Sequence, residues 1–236
     1  MTSFALKIFA IITMFCDHFG DAFFGHFSFL NLIGRFAFPI FAFQISEGFI
    51  HTKNIKKYFL RLGVFALIAQ IPFSLFCGKF QGTYLALNVF FTLFLGLLSI
   101  YIYDYINKTS NEKAKRFPID KIVGIVIMLL IAYVAELLNT DYGMWGVIVI
   151  FAFYFFKNSK VLMTLSFVLL CIIRYGMYTY QVGFNSTIIA LGIFTALSIF
   201  FINLYNGKQG RKIKYLLYFF FTIHLLLLYF IFLLLD

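Results

Sequence analysis

Long apolar stretches, at roughly 4–24, 28–50, 57–77, 86–106, 119–138, 143–156, 160–178, 185–205 and 214–235, fill most of the 236 residues and leave only short polar loops between them. A helix needs about 20 apolar residues to cross the hydrocarbon core of a bilayer. The pattern therefore predicts an all-α fold, a polytopic transmembrane bundle of about nine spans, the sixth of them short. Composition agrees. The chain is 63% hydrophobic and 12% charged, against about 45–50% and about 25% in soluble domains. The excess runs the whole length, so residues 1–236 are expected to form a single transmembrane domain. The longest interruption, 107–121, is too short to fold alone. The first stretch carries only Lys7 ahead of its polar pair and has no small-residue cleavage site after a short apolar core. It is expected to be a retained helix and not a signal peptide.

Charge alternates between loops. Lys53, Lys56, Lys57 and Arg61 follow the second stretch. Lys108, Lys113, Lys115, Arg116 and Lys121 follow the fourth, Lys157 and Lys160 the sixth, and Lys208, Arg211, Lys212 and Lys214 the eighth. The intervening loops hold Asp21, Lys79, Asp141 and Arg174 and little else. Short loops rich in Lys and Arg stay in the cytoplasm, which predicts a cytoplasmic N-terminus and an outside C-terminus. The net charge of +10 is then a topology signal, and no nucleic-acid partner is expected; the partner is the lipid bilayer. Cys16, Cys77 and Cys171 form a scattered, odd set without C-x-x-C or metal-type spacing, so neither a disulfide nor a metal site is expected.

Against this apolar background the polar residues stand out, because a carboxylate in mid-helix costs at least about 2.5–3.5 kcal/mol to insert. Asp17 and His18 lie side by side in the first stretch, Arg35 and Glu47 in the second, Gln70 next to Pro72 in the third, Asn88 and Thr92 at one face of the fourth, and His224 midway through the last. With alternating orientation, Asp17, His18, Arg35, Gln70, Asn88, Asp141 and His224 share one depth band, the middle to outer bilayer. His18 reads either as a general base or as a packing histidine. Asp17 reads as the group that orients an imidazole or as the counter-ion of Arg35, since neighbours on a helix project about 100° apart. Arg35 is never neutral, so it must be paired or face water; Pro39 cannot donate to its carbonyl. Glu47 reads as an interfacial carboxylate near Lys53 and Lys57. His224 reads as a core histidine or as a second catalytic one. Pro72 is expected to break its helix beside Gln70. No H-E-x-x-H, G-x-S-x-G or Walker A pattern is present. A proton-coupled transporter or flippase with an intramembrane Asp/His site is the alternative to an enzyme.

The segments "LKIFAIITMFCDHFGDAFF", "LIGRFAFPIFAFQISEGFIHTKNIKKYFLRLGVFALIAQIPF", "LNVFFTLFLGL" and "LYNGKQGRKIKYLLYFFFTIHLLLLYF" resemble the TraX family over nearly the whole chain and in order. The 34–72 segment is the most specific. The resemblance implies a membrane acyltransferase or acetyltransferase of the bacterial cytoplasmic (inner) membrane, with acetyl-CoA as donor. Its acceptor would be an amine or hydroxyl of an envelope or secreted protein or small molecule, such as the N-terminus of a pilin. It marks Asp17, His18, Arg35, Glu47 and His224 as the family's polar positions, with His18 or His224 moving the proton and Arg35 facing the oxyanion. Donor phosphates are expected at Lys53, Lys57, Arg61, Lys208 and Lys214. Where the family carries Tyr-Pro before the last histidine this chain has Phe221-Thr222-Ile223, so a kink at His224 is not carried over.

Overall fold

Backbone amides in hydrocarbon have no water to bond, and this chain meets that demand with helices. The computed structural model describes residues 1–25, 28–109, 119–211, 213 and 215–235. They form α1 (Ser3–Phe23), α2 (Phe29–Gly34), α3 (Ala37–His51), α4 (Ile55–Phe80), α5 (Val89–Thr109), α6 (Ile119–Leu137), α7 (Gly143–Phe155), α8 (Lys160–Val182), α9 (Ser186–Asn203) and α10 (Leu216–Leu235). Among these residues there is no strand, only one isolated bridge between Leu87 and Thr140. Among the described residues, seven segments are long and apolar enough to cross a membrane: α1, the α2–α3 pair, α4, α5, α8, α9 and α10. The apolar α7 is shorter, at 13 residues, and α6 carries Asp120, Lys121 and Glu136 in an otherwise apolar run. The protein is a multi-pass helical membrane protein.

Helix starts follow local chemistry. Thr2, Asn54, Ser159 and Asn185 cap α1, α4, α8 and α9, each side chain accepting from a backbone N–H of the first turn, a contact typically worth about 1 kcal/mol. The second apolar stretch is not one helix. It breaks at Arg35–Phe36, and Pro39 falls in the first turn of α3, where a missing N–H costs nothing. The expected break at Pro72 is corrected: α4 runs through it for 26 residues. Neighbouring helices bury the site, and Gln70 is used elsewhere. Gln70 Nε2 donates to Ser74 Oγ and the Ala86 carbonyl, and its Oε1 accepts from Asn88.

The α2–α3 pair is the centre of the bundle, with 67% of its span buried, while α8 lies outside with 17%. Around that centre α1 packs on α2, α3 and α10, α4 on α5 and α10, and α5 on α3, α6 and α7. The start of α1 is knitted to the loop before α10. Ser3 and Phe4 N–H donate to the carbonyls of Lys208 and Gln209, and Asn206 N–H to that of Met1. This seam aligns the two helices that carry His18 and His224. One end of the bundle, with the N-terminus and the α3–α4 and α9–α10 turns, is rich in Lys and Arg; we call it the basic end.

Candidate functional site

His18 on α1 and His224 on α10 meet in the bundle, Nδ1 to Nε2, at 2.8 Å. Their protonation follows from a third group. Nδ1 of His224 lies 2.6 Å from the carbonyl oxygen of Phe220. A carbonyl only accepts, so this nitrogen carries a hydrogen, and Nε2 of a neutral His224 is an acceptor. Nδ1 of His18 must then donate to it. What remains is Nε2 of His18, which carries a lone pair and no proton. His224 is buried at 4% exposure, whereas His18 is only half-buried. The relay thus runs from a helix carbonyl through a closed imidazole to an accessible one.

Asp17 does not orient either imidazole. Both its oxygens accept from Nη2 of Arg35, at 2.8 and 2.9 Å, and Nε of Arg35 donates to the Asn31 carbonyl. Of the two readings of Asp17, the geometry selects the counter-ion. Asn31, which the sequence alone did not single out, locks the pair. It is 2% exposed, its Nδ2 donates to Asp17 and Asp21, and its Oδ1 accepts from the N–H and hydroxyl of Ser28. Gln81 Nε2 donates to the other oxygen of Asp21. Gly34 makes the approach possible, because a Cβ there would lie 2.4 Å from Cβ of Asp17. Side chains of Arg35 and Asp17 keep 27% and 16% exposure, and Nη1 of Arg35 has no hydrogen bond among the described residues. The two centres meet along α1, where Asp17 of the ion pair directly precedes His18 of the dyad.

Beyond Arg35 lies the α6–α7 turn. It is pinned by Leu87, which donates to Asn139 and accepts from Asp141. Tyr142 stacks on Phe38 at 3.6 Å, and Arg174 sits 4.6 Å over the ring of Trp145. Asp141 is exposed on this turn. Desolvation by the neighbouring helix ends pushes its carboxyl up to about 7; Arg35 and Arg174 pull it down, and Asp17 and Asp21 push it up.

At the basic end a cavity of about 490 Å³ opens between α1, α3, α4 and α10. Three of the expected donor-binding residues, Lys53, Lys57 and Arg61, line it, and so does Lys7 of α1. Lys208 does not; it lies between the lining residues Gly207 and Gln209, with its carbonyl taken by Ser3. Lys214 is outside the described residues. Glu47 also lines the cavity, 3.7 Å from His51, so four fixed cations face one carboxylate. Nε of Arg61 is buried and has no partner among the described residues. Such a cavity suits a polyanion. Lys7 was legible in sequence only as a flank of the polar pair, because which face of α1 meets the cavity is a packing outcome. Tyr218, on the cavity wall, lies roughly 9 Å below His224 along α10. The space between holds an aromatic layer: Phe65 and Phe90 lie 4.7 and 5.4 Å from Tyr218, and Phe90 lies 5.0 Å from Phe221. No group of three or more His, Cys, Asp or Glu able to hold a metal occurs among the described residues.

Known proteins are similar to this chain in sequence. A probable fimbrial assembly protein, FimC of serogroup H1, from Dichelobacter nodosus is 29% identical over 96% of this chain and 94% of its own length. The uncharacterized protein RP591 of Rickettsia prowazekii (strain Madrid E) is 26% identical over 58% of this chain and 49% of its own. No solved structure matches. The family profile described as TraX protein matches residues 3–232, both histidines and the ion pair included, and the chain therefore belongs to the TraX family.

Proposed function

We propose that this protein is a membrane acyltransferase that crosses the bacterial cytoplasmic membrane nine times, with its basic end in the cytoplasm. It moves an acyl group, acetyl in the first instance, from acetyl-CoA to an amine or hydroxyl presented from the opposite side. The observation that carries this reading is the relay ending at Nε2 of His18, one residue along α1 from the carboxylate that holds a guanidinium with one nitrogen unused. A base of that kind, next to a fixed cation in low dielectric, is the equipment of acyl transfer.

The basic cavity holds the donor's phosphates at Lys7, Lys53, Lys57 and Arg61, and the pantetheine arm passes between helices to the dyad. Nε2 of His18 takes the proton as the acceptor's nitrogen or oxygen bonds to the thioester carbon. The carbonyl electrons move onto oxygen, where Nη1 of Arg35 donates to them. His224 accepts from the resulting imidazolium, in the place a carboxylate holds in other triads. When the carbonyl re-forms, the carbon–sulfur bond breaks, and His18 returns its proton to the leaving thiolate. Asp17 and Asn31 keep Arg35 aimed. The fimbrial relative makes a pilin-like protein the first acceptor to test.

Mass spectrometry of envelope proteins from cells with and without the chain tests the reading. A mass difference of one acetyl group that disappears with His18→Ala and His224→Ala supports it. Unchanged acetylation in both variants overturns it. A flux coupled to a proton gradient, with no binding of acetyl-CoA, would establish the transporter instead.

A further inference from the structure

The dyad has one polar side and one apolar side. On the polar side Arg35, Asp17 and Asn31 bond one another, and an alkyl chain gains nothing there. The apolar side is filled with rings. Phe76 of α4 meets the His18 ring edge-on at 5.3 Å, and Phe221 of α10 meets it at 6.2 Å. They are 0% and 2% exposed. Neither ring can swing aside freely. Phe76 is backed by Phe80 at 4.7 Å, which in turn meets Phe232 at 4.9 Å. Phe221 is backed by Phe90 at 5.0 Å. Interiors packed in this way have no spare methylene-sized volume, and forcing one in displaces several side chains together.

Resting on the acyltransferase reading, we propose that Phe76, with Phe221 beside it, sets the length of the acyl group and restricts the donor to acetyl. A thioester carbon placed at Nε2 of His18 must send its alkyl tail toward the apolar side, because the polar side is occupied by the ion pair. A methyl group fits against the ring edges; a longer tail runs into Phe76, and behind it into Phe80. The nucleotide end of the donor, bound at the basic cavity, is indifferent to this clash, so free CoA and acetyl-CoA bind alike while longer thioesters do not.

The test is binding of free CoA, acetyl-CoA and hexanoyl-CoA to the purified full chain, read as thermal stabilisation over a ligand titration. In the wild type, hexanoyl-CoA is expected to bind at least about tenfold more weakly than acetyl-CoA, the scale of a methylene mismatch in a closed pocket. Phe76→Ala is expected to bring hexanoyl-CoA to within about threefold of acetyl-CoA and to leave free CoA unchanged. Phe76→Leu, a smaller disturbance, serves if the alanine variant does not fold, and free CoA binding reports the fold of each. Equal binding of both thioesters by the wild type overturns the proposal, as does the absence of any gain in Phe76 variants that still bind CoA. If neither variant binds CoA, Phe76 is structural and the proposal is wrong. If the wild type binds no CoA compound at all, the acyltransferase reading itself fails, a distinct result.

Discussion

The basic cavity and the histidine dyad hold their polar groups in opposite ways. Lys53, Lys57 and Arg61 come from one short run around the start of α4, joined by Lys7 from α1; they are exposed or half-buried. The dyad joins residues 206 positions apart, neither of which carries a formal charge in the relay, and the role of every nitrogen depends on its neighbour. The cavity acts as a field and the dyad as a geometry. A field built from four cations loses strength by degrees when one is removed. A relay with one hydrogen bond per link is broken by any single loss.

The largest expected effect follows directly. His18→Ala should lower acyl transfer by about 10²–10⁴-fold while the Kd for acetyl-CoA stays within about threefold of wild type, since the cavity is not touched. Rate and affinity measured on one preparation check it, and equal losses in both would erase the division between the regions. Arg61→Gln should do the reverse. Loss of a charge-assisted contact, and of the orphaned Nε, raises the Kd for CoA by roughly 10–100-fold, more at low salt than at high, with turnover at saturating donor little changed. A Kd that ignores both Arg61 and ionic strength would mean that the cavity binds no polyanion.

A third variant tests what holds the two centres together. In Gly34→Ala the new Cβ would lie within 2.6 Å of three atoms of Asp17, so α2 must shift off α1. Overpacking of this kind costs about 1–3 kcal/mol. The midpoint of thermal unfolding should fall by several degrees, transfer should fall with it, and CoA binding in the surviving folded fraction should remain. The smallest effect is one of pH. Asp141 holds its proton to about pH 7 in the folded chain but only to about 4 when unfolded. Between these values the folded state binds more protons, so rising pH favours unfolding and stability declines from about pH 4 to about pH 7. Asp141→Asn should flatten that part of the curve of unfolding temperature against pH, and a slope unchanged by the substitution would mean that Asp141 titrates alike in the folded and unfolded chain.

Much of the fold was legible because hydrophobic length is a local quantity. The expected segments at 4–24, 119–138 and 143–156 match α1, α6 and α7 to within a residue or two. The break at Arg35–Phe36 and the unbroken course of α4 through Pro72 were not legible as such, for one reason: whether a helix tolerates a proline or a turn depends on what packs beside it. The candidate site divides along the same line. Asp17, His18, Arg35 and His224 stood out as polar residues among apolar ones. Their pairing did not, because His18 is adjacent in sequence to the carboxylate that it does not use. Asn31 gave no signal of its own, because an uncharged amide near the end of an apolar stretch is commonplace; its 2% exposure and its contacts to Asp17 and Asp21 exist only after α2 folds back on α1.

What the sequence determined by itself was the solvent. Apolar runs of membrane-spanning length dictate helices, and the few ionisable residues within them must find partners, whatever the arrangement. The tertiary structure decided which partners. It gave Asp17 to Arg35 and His224 to His18, and by bonding His224 to the Phe220 carbonyl it left one nitrogen, Nε2 of His18, without a proton. Side-chain depth along a helix can be read from a string of residues. The direction in which a ring nitrogen points, and what it finds there, depends on the rotation and register of α1 against α10, which are set by packing and by the seam at Ser3 and Lys208.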